Sequence, residues 1–105
     1  METLLVITNC PDEETANAIA LAAVEEKLAA CVNTLPRVQS IYRWQGKVES
    51  ASEIPLFFKS TAANYPALET RIRELHPYEL PEIIALPISH GLPAYLNWVA
   101  AETTQ

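Results

Sequence analysis

Three side chains of different chemistry are the strongest candidates for a ligand site. Cys10 supplies a thiol, His76 an imidazole and Glu82 a carboxylate. A mixture of sulfur, nitrogen and oxygen donors suits copper or zinc better than magnesium or calcium, which prefer oxygen alone. The close CxxC and HExxH spacings that make a metal motif specific are absent. The three residues therefore form a metal site only if the fold brings them together.

Each of these residues also has an explanation that involves no metal. Cys10 is accounted for as a small buried hydrophobe at a strand end, and its residue type alone favours this interpretation. His76 is equally well explained as a cap for the last carbonyls of a helix. Glu82 is suited to pairing with a base of another subunit. Tyr78 is suited to packing, with a hydroxyl group that needs a partner.

Catalysis and nucleotide binding have little support in the sequence. No serine carries the flanking glycines of a nucleophile elbow, and Cys10 with His76 is the only nucleophile and base that the topology brings together. A chain with two glycines cannot build the usual phosphate-binding glycine-rich loop. We therefore expect a protein that is not an enzyme, although a nucleotide held in a cleft between subunits is left open.

Composition indicates one globular domain spanning residues 1–105. The chain is 50% hydrophobic and 19% charged, enough apolar material for a single modest core. Seven basic against thirteen acidic residues give a net charge of −6, the wrong sign for binding nucleic acid or an anionic membrane. There is no apolar run of membrane-spanning length and no signal-peptide pattern, so we expect a cytoplasmic protein. Its two cysteines are expected to be reduced.

Apolar periodicity predicts an α+β fold with four strands and three helices. A strand at residues 3–8, expected to be central and buried on both faces, precedes a helix that starts after Pro11 and runs to about residue 29. Two extended runs, 31–45 and 47–60, form a hairpin turning at Gln45-Gly46. A helix from about residue 66, a strand at 83–88 and a short helix from Pro93 follow. This βαββαβ order with a terminal helix predicts a ferredoxin-like split βαβ sandwich, with an antiparallel sheet and both main helices on one face.

The long hairpin arm predicts self-association. A strand of fifteen residues spans about 50 Å, whereas a helix of about seventeen residues covers only about 25 Å. Half of the arm is therefore left without a helix. The uncovered half carries apolar and aromatic side chains, which are typical of interface cores. The expected interface residues are Ile41, Tyr42, Trp44 and Val48. The alternative is that Pro36 or Pro55 folds the arm back onto its own sheet.

The same topology sorts the polar residues between the two ends of the sheet. Cys31 and His90 are expected at one end, so Cys31 lies too far from Cys10 for a disulfide. The residues expected to converge at the other end are Cys10, Asp12, Trp44, His76, Tyr78 and Glu82.

Five segments, in order along nearly the whole chain, resemble the CutA family of divalent cation tolerance proteins. They are LAACVN at 28–33, IYRWQGKVE at 41–49, LFFKS at 56–60, HPYELPE at 76–82 and GLPAYLNWV at 91–99. The pattern HPYxxPE followed by a YLxW ending is the most specific of them. The resemblance implies a ferredoxin-like fold assembled as a tight homotrimer, similar in architecture to the PII-type signalling trimers.

The resemblance also implies copper or other divalent-cation binding and a role in the response to metal ions. The implied ligands are a cysteine of the first strand and the histidine and glutamate of the HPYxxPE segment, which His76 and Glu82 match. Thr8 stands where a well-known type of member has the cysteine, and Cys10 follows two residues later with the same side-chain parity. The alternative function is a PII-like module that binds a small effector or a partner protein at its inter-subunit clefts.

Overall fold

The computed structural model describes residues 2–105, which form five strands and three helices. The elements are β1 (Thr3–Cys10), α1 (Glu13–Glu25), β2 (Cys31–Thr34), β3 (Val38–Trp44), β4 (Lys47–Thr61), α2 (Tyr65–Leu75), β5 (Ile83–Pro87) and α3 (Pro93–Glu102). Their order agrees with the prediction except that one expected strand is divided in two.

The strands form one antiparallel sheet in which β1 is an interior strand. The order across the sheet is β2-β4-β1-β5, and β3 pairs with the half of β4 that extends beyond β1. Leu4 of β1 lies opposite Ser60 of β4 and Pro87 of β5. The continuous apolar run of β1 therefore occupies an interior position, as the sequence predicts.

One face of the sheet carries the core. Side chains of β1 alternate between this face, which is fully buried, and an opposite face that is partly exposed. Both α1 and α2 contribute to the core cluster, so these helices lie on the same side of the sheet, as predicted. The core consists of Leu4, Val6, Cys10, Ala16, Ile19, Ala23, Leu28, Ala29, Ile54, Leu56, Phe58, Leu68 and Ile72.

The opposite face of the sheet remains apolar and open, which differs from the expectation of a first strand buried on both sides. Ile7 of β1 faces Ile84 of β5 there, and Leu5 faces Leu86. Ile84 is 47% exposed and Leu86 45% exposed. Helix α3 packs against β1 and β4 through residues outside the core cluster, and it leaves these two side chains uncovered.

The first helix ends four residues earlier than the sequence predicts. Its start is as expected, because the Asp12 carboxylate accepts a 2.8 Å hydrogen bond from the Thr15 N–H as an N-cap. Lys27 then adopts a left-handed φ of 59°, and the Leu28 N–H bonds back to the Ala23 carbonyl at 2.9 Å. This C-terminal arrangement turns the chain towards β2.

The predicted strand at 31–45 is interrupted at residues 35–37. Leu35 donates a 2.9 Å hydrogen bond to the Pro55 carbonyl, whereas Pro36 has no N–H to donate, and the ladder resumes at Val38. The second arm is continuous from Lys47 to Thr61, and its turn at Gln45-Gly46 is confirmed by φ values of 49° and 79°. The arm extends outward rather than folding back, giving the molecule a long axis of 44 Å.

Within residues 2–105, no helix is long and apolar enough to cross a membrane.

Candidate functional site

The candidate ligand residues gather around the end of β1. Asn9 is the common neighbour of two of them, because its backbone carbonyl meets the His76 ring and its side-chain amide meets the Glu82 carboxylate. Cys10 follows directly in the chain, but side chains of β1 alternate between faces, so its thiol points into the core and away from the Asn9 amide. The segment from His76 to Glu82 therefore runs from the end of α2 to the start of β5 alongside this strand end, as the topology predicts.

Both ring nitrogens of His76 are engaged within the chain. Nε2–H donates a 2.7 Å hydrogen bond to the Asn9 carbonyl, and Nδ1 accepts a 3.3 Å hydrogen bond from the Tyr78 N–H. These two contacts match the tautomer that carries its proton on Nε2. The imidazole is only 7% exposed and lies 4.6 Å from the Tyr78 ring, centroid to centroid. The backbone N–H of His76 also caps α2 by donating to the Ile72 carbonyl.

Glu82 is held by its backbone and exposed at its carboxylate. Its carbonyl accepts a 2.6 Å hydrogen bond from the Thr8 hydroxyl, which is fully buried. Its Oε1 accepts a longer 3.3 Å bond from the Asn9 amide. The residue is exposed. The main chain is therefore fixed against β1 while the carboxylate can reach a ligand from solvent.

Cys10 is a buried, neutral thiol. Its side chain is fully buried in the core cluster. Burial raises the pKa of Cys10 to about 11, with smaller contributions from the nearby Asp12 and Glu53 carboxylates. Because the thiolate is the form that binds metal, this environment does not by itself prepare Cys10 as a ligand. Cys10 pairs with Ile54 and Cys31 with Lys59, so the two cysteines lie at different levels of the sheet and, as predicted, too far apart for a disulfide.

Tyr78 and Glu53 form a contact that the sequence analysis did not identify. The Tyr78 hydroxyl donates a 2.9 Å hydrogen bond to Glu53 Oε2, and Glu53 is 8% exposed. Burial and this contact with the carboxylate raise the pKa of Tyr78 above its ordinary range. The expected partner of the Tyr78 hydroxyl is thus a carboxylate from β4. The only signal in the sequence was a single acidic residue directly before the apolar run that starts at Ile54.

Trp44 does not join this group, which corrects the expected convergence. It pairs with Lys47 at the tip of the arm, whereas Cys10 pairs with Ile54, seven residues further along β4. At about 3.3 Å per residue this separates the two by roughly 23 Å. The expectation placed the hairpin tip level with the end of β1, but β4 continues well beyond β1.

The strand end carries a thiol, an imidazole and a carboxylate. These groups differ in how many existing contacts each would have to give up in order to bind a metal ion. Glu82 is exposed and is held through Oε1 by a 3.3 Å bond from Asn9, whereas the buried His76 and Cys10 would have to give up a hydrogen bond and a proton, respectively. Among residues 2–105, no three His, Cys, Asp or Glu side chains are already arranged to hold a metal ion.

The fold and this strand-end arrangement define an α+β protein built on one antiparallel sheet. Residues 4–102 match the protein family described as CutA1 divalent ion tolerance protein. The chain is 50% identical over 103 residues to the divalent-cation tolerance protein CutA of Thermus thermophilus, covering 98% of this chain and 99% of that one. It is also 50% identical over 90 residues to protein CutA of Mus musculus, covering 86% of this chain and 51% of that protein.

A solved structure agrees with these sequence comparisons. The divalent cation tolerance protein from Thermus thermophilus superposes with a TM-score of 0.95 at 48% identity, covering 97% of this chain and 99% of that one. The chain belongs to the CutA1 family.

Proposed function

We propose that this protein acts in divalent-cation tolerance as a cytoplasmic homotrimer that binds copper or another divalent ion and catalyses no reaction. The observation that carries the proposal is the position of Asn9, which contacts both His76 and Glu82 at one end of the sheet. These are the histidine and glutamate of the HPYxxPE segment. Relatives of this chain carry divalent-cation tolerance in their names.

The trimeric part of the proposal rests on apolar surface that one chain cannot cover. The strand order β2-β4-β1-β5 supports our proposal of a ferredoxin-like split βαβ fold, whose second sheet face would be covered by a partner. That face exposes Ile84 and Leu86, and the arm exposes Ile41 (74%) and Val48 (67%). Apolar side chains gathered on one face and on a projecting arm are typical of an obligate interface.

Metal binding would replace hydrogen bonds and a proton that the ligand residues already hold. Glu82 offers an exposed carboxylate. For His76 to bind through Nδ1, that atom would release the Tyr78 N–H, and Cys10 would have to lose a proton from a thiol whose pKa is about 11. Binding is therefore expected to weaken steeply as the pH falls. Copper, which binds such donors most strongly among the divalent first-row ions, is the ion best able to displace these contacts.

The test is a titration of the purified protein with copper and with zinc against a competing chelator, with the molecular mass in solution measured in parallel. The variants are His76→Ala, Glu82→Ala and Cys10→Ser. Matched controls are His90→Ala, Glu79→Ala and Cys31→Ser, which change the same residue types outside the strand-end contacts. The proposal requires one stoichiometric site per chain that is lost in an intact trimer of His76→Ala or Glu82→Ala and kept in the controls. Weak binding that none of the variants alters would refute it.

The second candidate is a PII-like trimeric module that binds a small effector or a partner protein at its inter-subunit clefts. It is favoured by the engagement of both His76 nitrogens within the chain, which gives that residue a structural role without a metal. In this case the same titration gives only weak metal uptake, as an acidic surface produces in any protein. The substitutions at His76 and Glu82 would then change stability and leave that uptake unaltered.

A further inference from the structure

A concave site lies where α1 begins, close to the end of β1 but outside the contacts of His76 and Glu82. A cavity of about 200 Å³ separates the first turns of α1 from the link between β2 and β3. Cavities that hold drug-sized ligands are typically about 300–1,000 Å³, so this one suits a smaller molecule. Its lining residues are Glu13, Asn17, Thr34, Leu35, Pro36, Arg37 and Ile54.

Opposite charges line this cavity without neutralising each other. Glu13 comes from α1 and Arg37 from the link, and no ion pair joins them in the described part of the chain. The Arg37 guanidinium is anchored through Nη1, which donates to the Pro11 carbonyl and the Ser52 hydroxyl, each at 3.4 Å. Nη1 is one of the three nitrogens of the guanidinium group, so donors remain for an anion. The neighbouring Asp12 carboxylate is already engaged as the cap of α1.

The remaining lining residues divide into an apolar floor and a polar rim. Ile54 is 3% exposed and closes the floor of the cavity, whereas the half-buried Leu35 supplies apolar surface beside it. Asn17 and Thr34 are exposed and supply an amide and a hydroxyl at the opening. The cavity thus offers one positive group, one negative group and an apolar wall within a small volume.

We propose that this cavity binds a small zwitterion of the α-amino acid class with an apolar side chain. Arg37 receives the carboxylate, in the planar geometry that guanidinium groups use for this partner. Glu13 receives the ammonium group, and the side chain packs on Ile54 and Leu35. This site shares no residue with the proposed metal contacts, and it adjoins them where Ile54 pairs with Cys10.

The test is calorimetric titration of the metal-free protein, in the presence of a chelator, with L-valine. Two derivatives each lack one charge: L-valinamide has no carboxylate and N-acetyl-L-valine has no ammonium group. We expect saturable binding of L-valine and a loss of about tenfold or more in affinity for either derivative, because each leaves one charged group of the protein unpaired. Arg37→Gln and Glu13→Gln are expected to weaken L-valine binding to a similar extent.

Matched controls are Arg43→Gln and Glu14→Gln, which remove the same charges from residues outside the cavity lining. These controls should bind L-valine as the parent does. Because the substituted side chains are exposed, unchanged thermal unfolding and mass confirm that the variants are folded and assembled. The absence of saturable binding, equal binding of L-valinamide, or full binding by Arg37→Gln would each overturn the proposal. Since no metal is present, none of these results bears on copper binding.

Discussion

The imidazole of His76 donates a 2.7 Å hydrogen bond from Nε2 to the backbone carbonyl of Asn9, joining the end of α2 to the end of β1. This contact spans 67 positions of the chain and lies in a largely buried setting. On its other side the ring accepts from the Tyr78 N–H, which begins the segment leading to Glu82. One side chain therefore ties together three parts of the backbone.

Replacing His76 with alanine is expected to lower the free energy of unfolding by about 1–3 kcal/mol, because two backbone groups lose their partners in a poorly hydrated position. Urea denaturation of the metal-free protein measures this change. His90→Ala is the matched control, since His90 is exposed and its ring is hydrogen-bonded to the Ser89 hydroxyl of the neighbouring residue. A His76→Ala protein within about 0.5 kcal/mol of the control would show that the bonds carry no structural role.

Cys10 is expected to resist alkylation in the folded protein. In a Cys31→Ser background it is the sole thiol, and burial both blocks access and raises its pKa from 9.0 to about 11. Iodoacetamide treatment followed by mass spectrometry should show almost no adduct at mildly alkaline pH and full reaction in urea. Rapid labelling of the native protein would contradict the buried placement.

The same shift in the pKa of Cys10 sets the direction of a pH effect on stability. The folded state favours the protonated thiol, so its contribution is complete below pH 9.0 and is lost as the pH rises through about 11. The comparison of Cys31→Ser with the Cys10→Ala, Cys31→Ser double variant isolates this effect. Unfolding free energies of the two proteins should converge over that alkaline window, and parallel curves would refute the assignment.

The fold could be predicted where local chemistry and global packing agree. The apolar run of β1, the acidic start of α1 and the Gln45-Gly46 turn each specify their own structure. The interruption at residues 35–37 could be suspected from Pro36 but not placed, because it depends on Leu35 donating to the Pro55 carbonyl of another strand. The end of α1 was missed since Lys27, an ordinary helix former, adopts a left-handed conformation there.

The order of strands and helices was the only basis on which the sequence could predict the candidate site. Strand and helix order place His76 and Glu82 near the end of β1, but the contact through Asn9 uses a backbone carbonyl, which no sequence pattern marks. Glu53 was missed because nothing in an extended run distinguishes a buried carboxylate from an exposed one. Trp44 was misplaced because the sequence does not reveal how far β4 continues past β1.

Gly46→Ala is expected to destabilise the arm by about 1 kcal/mol through backbone strain alone. Gly46 has a φ of 79°, which disfavours residues with a Cβ atom, yet an added Cβ would meet no atom within 4 Å. Thermal unfolding measures the loss. Gln45→Asn provides the opposite control, because asparagine tolerates the left-handed φ of 49° at that position better than glutamine. An unchanged Gly46→Ala protein would indicate that the turn rearranges without cost.

Ile84→Glu is expected to prevent self-association while leaving the chain folded. Ile84 lies opposite Ile7 on the open face of the sheet and is 47% exposed in the single chain, so a carboxylate there is tolerated in a monomer. In a homotrimer closed over this face the same carboxylate would be buried without a partner, at a cost of several kcal/mol per subunit.

The measurement is the mass in solution by sedimentation equilibrium, together with circular dichroism to confirm the fold. Ile84→Val should retain the parent mass, since it keeps the apolar surface. Leu21→Glu is the second control, because Leu21 is 61% exposed on α1 and lies outside the sheet face. A trimeric mass for the parent and both controls, with a monomeric mass for Ile84→Glu, places the interface on the open sheet face. A trimeric Ile84→Glu protein would instead assign self-association to the arm alone, where Ile41 and Val48 are exposed.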